Sequence, residues 1–325
     1  MRRREFITLL AGAAALAPLP VRAQQQGAAQ PRLGVLIYST PRGDPNLASF
    51  LRALAALGYV EGRTIAIEYR AAEGRPERLP ELAAELVRLK PDLLFCLGGD
   101  VAVPVARATQ TLPILFGSSA DPVRLGLVAT MARPSGNATG VSFLLDDLAG
   151  KRLELLKEAA PQVTRVAFVW NPDHHDNELP EAERAAARLG VTLQQLPVRR
   201  PDDLDGALRA AGQARAEALY VVSSRQTALA LPKFVSFANA NRLPLAGGWG
   251  AWARAGGLLS YGPNLDEMMR HAAGYADKIL RGARPGELPV QQPTRFELVI
   301  NARTAKALGL TIPDGLLARA DEVIE

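Results

Sequence analysis

A single cysteine cannot close a disulfide within its own chain, so Cys96 excludes the stapled architecture common among small exported domains. It sits in the apolar stretch Leu93-Leu94-Phe95-Cys96-Leu97 and reads as a small buried hydrophobe. It also lies too far along the chain to carry a lipid at a processed N-terminus. The three histidines are His174, His175 and His271. Adjacent side chains such as His174-His175-Asp176 rarely converge on one ion, and no cysteine lies nearby, so no metal is expected. No basic run interleaves with aromatics, which argues against a nucleic-acid partner. The sequence contains no G-x-G-x-x-G after its first strand, no G-x-x-x-x-G-K-S/T, no H-E-x-x-H and no G-x-S-x-G, so neither an enzyme nor a bound cofactor is expected. The acidic pairs Asp146-Asp147 and Asp202-Asp203 read as helix starts, where negative charge meets the helix dipole.

What is present begins at the N-terminus. Arg3-Arg4-Glu5-Phe6-Ile7 is a twin-arginine pattern, followed by an apolar run from Ile7 to Leu19 and by Val21-Arg22-Ala23 at a cleavable position. The run is shorter than the roughly 20 residues of a membrane-spanning helix. Residues 1–23 are therefore expected to be an export signal. The mature chain starts near Gln24 and works as a soluble protein in a periplasm. The signal carries four arginines against one glutamate, so its removal takes the formal charge from +5 to +2. No membrane or nucleic-acid patch follows from so small a charge.

About 300 mature residues suit two cores better than one. Apolar strands alternate with amphipathic helices. The expected strands are Leu33 to Tyr38, Thr64 to Tyr69, Leu93 to Leu97 and Pro113 to Phe116, with Leu47, Phe50, Leu51, Leu54 and Leu57 on one helical face between the first two. The rhythm restarts with strands at Val163 to Trp170, Val191 to Leu196, Ala218 to Val222 and Leu243 to Ala246, and with a helix over Gln226 to Asn241. Strands apolar throughout imply parallel sheets covered on both faces. The fold class is α/β, with two doubly wound parallel-sheet lobes joined by a multi-strand hinge around Gly140 to Gly150. Lobe 1 is expected over 32–145 plus 262–288, and lobe 2 over 146–261 plus 289–325. A chain that crosses between lobes several times can close them on a ligand.

Several segments then resemble one family. They are Ala120-Asp121-Pro122-Val123-Arg124-Leu125-Gly126-Leu127-Val128-Ala129, Arg133-Pro134-Ser135-Gly136-Asn137-Ala138-Thr139-Gly140-Val141-Ser142, and Gly58-Tyr59-Val60-Glu61-Gly62. Others are Gly256-Gly257-Leu258-Leu259-Ser260-Tyr261-Gly262, Pro293 to Asn301, Thr304 to Leu310 and Leu317 to Ile324. Together they are similar to the substrate-binding proteins of ABC transporters, in a tryptophan/tyrosine-type branch. The resemblance implies a type I periplasmic-binding fold, a small-molecule ligand and an ABC permease partner in the inner membrane. It departs at Gly248, where many family members carry an acid before the tryptophan. That departure implies a ligand other than the aromatic amino acid of the branch name.

In open parallel sheets ligands bind beyond the carboxyl ends of the strands. Those positions hold Ser39, Thr40 and Asp44, then Gly98, Gly99 and Asp100, then Ser118, Ser119 and Asp121 in the first lobe. The second supplies Asn171, Asp173, Ser223, Ser224 and Trp249. Paired serines near helix starts suit an anion, Asp44, Asp121 or Asp173 an ammonium group, and Trp249 or Tyr38 an apolar portion. The same residue types also cap helices and turns. The function expected is a monomeric exported protein that captures a small polar molecule, such as an amino acid or related carboxylate, for a permease. A ligand sensor for a receptor and an exported α/β enzyme are the alternatives.

Overall fold

The computed structural model describes residues 30–143, 148–174 and 178–325. The first lobe is built from β1 (Arg32–Ile37), α1 (Pro45–Ala56), β2 (Ala66–Ala71), α2 (Leu79–Arg88), β3 (Leu93–Leu97), α3 (Gly99–Ala108), β4 (Ile114–Ser118) and β5 (Ala138–Ser142). Its five strands pair in the order β2-β1-β3-β4-β5, all parallel. Every residue of β3, β4 and β5 is buried, as a sheet covered on both faces demands. One face is covered by α1, whose Phe50 stacks on Phe95 of β3. The start of α1 is fixed locally: Asp44 accepts the N–H groups of Asn46 and Leu47, and Pro45 opens the helix. Leu79, Leu82, Ala83 and Leu86 form the buried stripe of α2 on the other face.

The second lobe comprises α4 (Ala149–Ala159), β6 (Arg165–Trp170), α5 (Glu178–Leu189), β7 (Thr192–Pro197), α6 (Leu204–Gln213), β8 (Ala218–Val221), α7 (Arg225–Leu229), α8 (Leu231–Ala240), β9 (Leu245–Gly247), α9 (Gly250–Arg254) and β10 (Leu259–Pro263). The chain then returns to the first lobe as α10 (Leu265–Leu280), which packs on α1 and against β4 and β5. Tyr59 ties the two elements further, its hydroxyl lying 3.0 Å from Asp277 of α10. A backbone bridge between Val141 and Gln291 precedes the last crossing. There follow β11 (Phe296–Asn301), α11 (Ala302–Leu308), α12 (Asp314–Leu317) and β12 (Glu322–Ile324). The second sheet runs β12-β11-β10-β9-β8-β6-β7.

The two α/β lobes expected from the sequence are present, with three differences. First, β11 is antiparallel to β10, so the far edge of the second sheet reverses direction. Second, the single helix expected over Gln226 to Asn241 is broken at Ala230 into α7 and α8, because Pro232 in the first turn of α8 has no N–H to continue the ladder. Third, the start of the expected lobe joint, Gly140 to Ser142, is the second half of β5.

The sequence Ala-Thr-Gly-Val-Ser of β5 has little apolar bulk, and its glycine is the reason it fits. A Cβ on Gly140 would stand 2.0 Å from the Phe116 carbonyl oxygen and 2.7 Å from the Phe116 ring on the neighbouring strand. Backbone there cannot yield as a flexible side chain can. Gly140→Ala is therefore expected to destabilise the protein by about 1–3 kcal/mol, read from urea denaturation. An unchanged midpoint would contradict this close approach.

Candidate functional site

Parallel strands end at the same sheet edge, and the two lobes turn those edges toward each other. Between them lies a cavity of about 100 Å³. The first lobe lines it with Tyr38, Pro76 and Asp100. The second contributes Asn171, Asp173, His174, Arg199 and the run Ser224-Arg225-Gln226. A larger hollow of about 330 Å³ lies on the flank of the first lobe beside α3, and it brings none of the strand-end candidates together.

Tyr38 follows β1, and its hydroxyl donates to the Gly74 carbonyl (3.0 Å). Burial, reinforced by the charges of Asp100 and Glu77, pushes its pKa up to about 12, so it stays a neutral wall. Asp100 lies in the first turn of α3, where the helix dipole favours a carboxylate. Its Oδ1 is buried without a hydrogen-bond partner among the described residues. Gly98 makes room for it. The φ of +125° at Gly98 is open to glycine, and a Cβ there would stand 2.6 Å from Asp100 Oδ1.

In the second lobe, Ser224 caps α7 by accepting the Thr227 N–H, which fixes the orientation of the following residues. Arg225 is the first residue of α7. Burial lowers its pKa to about 10, which still leaves it a cation at neutral pH. One end of its guanidinium pairs with Asp44 in the first lobe and donates to Ser39 Oγ (3.3 Å), while Nε is buried without a partner among the described residues. Asn171 donates to Gln226 Oε1 (2.9 Å), which turns the Gln226 amide nitrogen away, also without a partner among the described residues. Asp173 pairs with Arg199 at the rim. His174, expected on a solvated loop, is half-buried with Nε2 3.2 Å from Ser119 Oγ across the cleft.

Behind this wall is a fully buried ion pair. Arg152 of α4 meets Glu178 at the head of α5 (2.5 Å) and the Tyr220 hydroxyl (2.6 Å), and its Nε donates to the Tyr261 carbonyl. Burial alone would lower the Arg152 pKa, but the adjoining Glu178 and Tyr220 outweigh it and raise the net value. Glu178 also accepts the Ser223 N–H (3.2 Å), so the pair anchors the turn that presents Arg225. Burying such a pair adds little net stability, whereas loss of one partner costs about 3–5 kcal/mol.

The strand-end candidates thus separate. Asn171 and Ser224 line the cavity. Ser39 and Asp44 lie beneath Arg225 and are saturated by protein partners. Gly98 and Gly99 form the turn behind Asp100, where a Cβ on Gly99 would meet Ser118 Oγ at 2.6 Å. Ser118 is buried and donates to the Ala120 carbonyl, while Ser119 faces His174. Asp121, followed by a proline as at many helix starts, instead accepts the Val123 N–H in a turn, and no helix begins there. Ser223 is buried, and Thr40 is exposed outside the cavity lining. Trp249 is packed into the apolar core at the N-cap of α9, outside the lining. Beside it, a Cβ on Gly248 would stand 2.0 Å from Ser223 Oγ, so this packing leaves no space for an acid at 248. Arg225 and Gln226 were not among the residues singled out by sequence; the N-cap serine directly before them is the signal that could have found them. His175 and the pair Asp146-Asp147 lie outside the described residues.

Two α/β lobes with polar strand ends facing one cleft define the class of two-lobed periplasmic binding proteins. The chain belongs to the ABC transporter substrate-binding protein family, whose pattern matches residues 36–324. Membership makes it a binding protein that captures a small polar molecule for ABC transport. Such proteins generally work outside the cytoplasm. It is 25% identical over 272 residues to a tyrosine-binding protein of Clostridioides difficile (strain R20291), covering 83% of this chain and 78% of the relative. A conserved domain protein from Vibrio cholerae O1 biovar eltor superposes with a TM-score of 0.83 at 29% identity, covering 90% of this chain and 99% of that one. The ABC domain from Streptococcus pneumonia in complex with L-Trp gives 0.82 at 25% identity, covering 91% and 100%.

Proposed function

We propose that this protein captures an α-amino acid, or a closely related carboxylate, in the interlobe cleft and delivers it to an ABC permease in the inner membrane. One observation carries the reading: opposite charges with free valences meet in one cavity. Asp100 Oδ1 needs a donor, and Arg225 Nε needs an acceptor. A zwitterion supplies both, its ammonium to Asp100 and its carboxylate to Arg225, with the Gln226 amide as a second donor. An adjoining chamber of about 210 Å³ shares Tyr38 and Gln226 and continues past Val198, Leu204 and Phe234, which gives an apolar side chain somewhere to go. The tyrosine and tryptophan in the names of the two relatives support the amino-acid class.

Capture proceeds by closure, with no covalent step, and the permease distinguishes the closed surface from the open one. A single chain supplies both walls, so the site is complete within a monomer. Arg3-Arg4 and the apolar run after them support export to the periplasm by the twin-arginine route.

The mature protein, unfolded and refolded to strip bound solute, should be stabilised by members of an L-amino-acid panel and not by sugars or nucleosides. A ligand at about 100 times its dissociation constant adds about 2.7 kcal/mol, enough to raise the melting midpoint by several degrees. Stabilisation by sugars or nucleosides alone would sink the amino-acid reading. Replacing Arg3 and Arg4 with lysine should hold the full-length chain in the cytoplasm, as judged by cell fractionation; normal export of that variant would refute the twin-arginine route.

A further inference from the structure

We propose that Asp44 and Ser39 are positioning residues which, through Arg225, form a latch that biases the protein toward its closed form whatever the ligand. The latch joins the lobes directly. Asp44 heads α1 of the first lobe and Arg225 begins α7 of the second. Arg225 Nη2 pairs with Asp44 Oδ2 and donates to Ser39 Oγ (3.3 Å), and Ser39 Oγ in turn donates to the same carboxylate oxygen (2.6 Å). The other oxygen, Oδ1, holds the N–H groups of Asn46 and Leu47, so α1 itself aims the carboxylate.

Burial decides what this arrangement does. The side chain of Asp44 is 0% exposed and that of Arg225 10%. A ligand group has no access to Asp44, which therefore serves the opposite lobe. Separating the lobes returns both charges to water. Closing them strips that water, and the pair with its hydrogen bonds compensates. A closed form holding only one of the two charges would bury it uncompensated, which is far costlier than lacking the pair altogether. The latch accordingly discriminates between the two forms more strongly than it stabilises the fold. On the proposed amino-acid reading, the free Nε of the same guanidinium receives the ligand carboxylate, which couples capture to closure. The latch itself does not depend on that reading.

Its test needs no ligand. Small-angle scattering, or fluorescence transfer between dyes on the two lobes, would be recorded on stripped mature protein and on Asp44→Asn, Arg225→Gln and the double variant. Asparagine keeps the oxygen that caps α1, and Arg225→Gln leaves that cap untouched, so circular dichroism should report intact helices in all. Each single variant should shift the closed-to-open ratio toward open by about tenfold or more. The double variant should be no more open than the more affected single, because the pair acts as a unit. Unchanged single variants, or effects that add in the double variant, would overturn the latch. A latch that fails alongside a positive amino-acid screen would leave the function standing, and the reverse result would leave the latch standing.

Discussion

Strands that run parallel must all end at one edge of their sheet, and most of this molecule's chemistry follows from that constraint. Each strand hands the chain to a connection on the same side, so short polar residues and helix starts accumulate there. In the first lobe the ends of β1, β3 and β4 deliver Tyr38, Ser39, Asp100 and Ser119. In the second the ends of β6, β7 and β8 deliver Asn171, Arg199 and Arg225. Because α10 returns to the first lobe before β11 rejoins the second, several covalent connections keep these edges facing each other.

Two buried ion pairs then divide the work. Arg152–Glu178 lies wholly inside the second lobe, where it fixes the turn after β8. Arg225–Asp44 spans the cleft. The desolvation physics is common to both, but the consequences differ. A pair inside one lobe is buried in every conformation and sets local geometry. A pair between lobes is buried only when they meet, so it reports and favours closure. The cavity beside it retains buried polar valences on Asp100, Arg225 and Gln226, which a small zwitterion can satisfy.

Much of the fold was legible because parallel strands leave a strong signal. Leu33 to Tyr38 and Leu93 to Leu97 are apolar throughout, and Leu265 to Leu280 carries an unambiguous helical stripe with Asn264 as its cap. The strand β5 was not legible. Phe116 on the neighbouring strand holds position 140 to glycine, and a segment of small residues imitates a linker. The break at Ala230 was signalled by Pro232 but outweighed by the apolar period on either side. At the site, the polar strand ends were readable as a class, and Asn171 and Ser224 do line the cavity. Which oxygen faces the cavity and which faces protein was not readable. Asp44 and Asp100 look alike in sequence, yet one is saturated by Ser39, Arg225 and α1 while the other keeps a free oxygen. That distinction depends on how the lobes meet, a long-range property absent from local pattern.

On the proposed function, Asp100 and Arg225 read the two charged ends of one small molecule. The most direct measurement is titration calorimetry on the stripped mature protein with three compounds: its best-bound L-amino acid, the corresponding decarboxylated amine and the N-acetyl derivative. Losing either charge should weaken binding by about tenfold or more, because each loss leaves a buried charge in the cavity unanswered. Equal affinity for all three would contradict it.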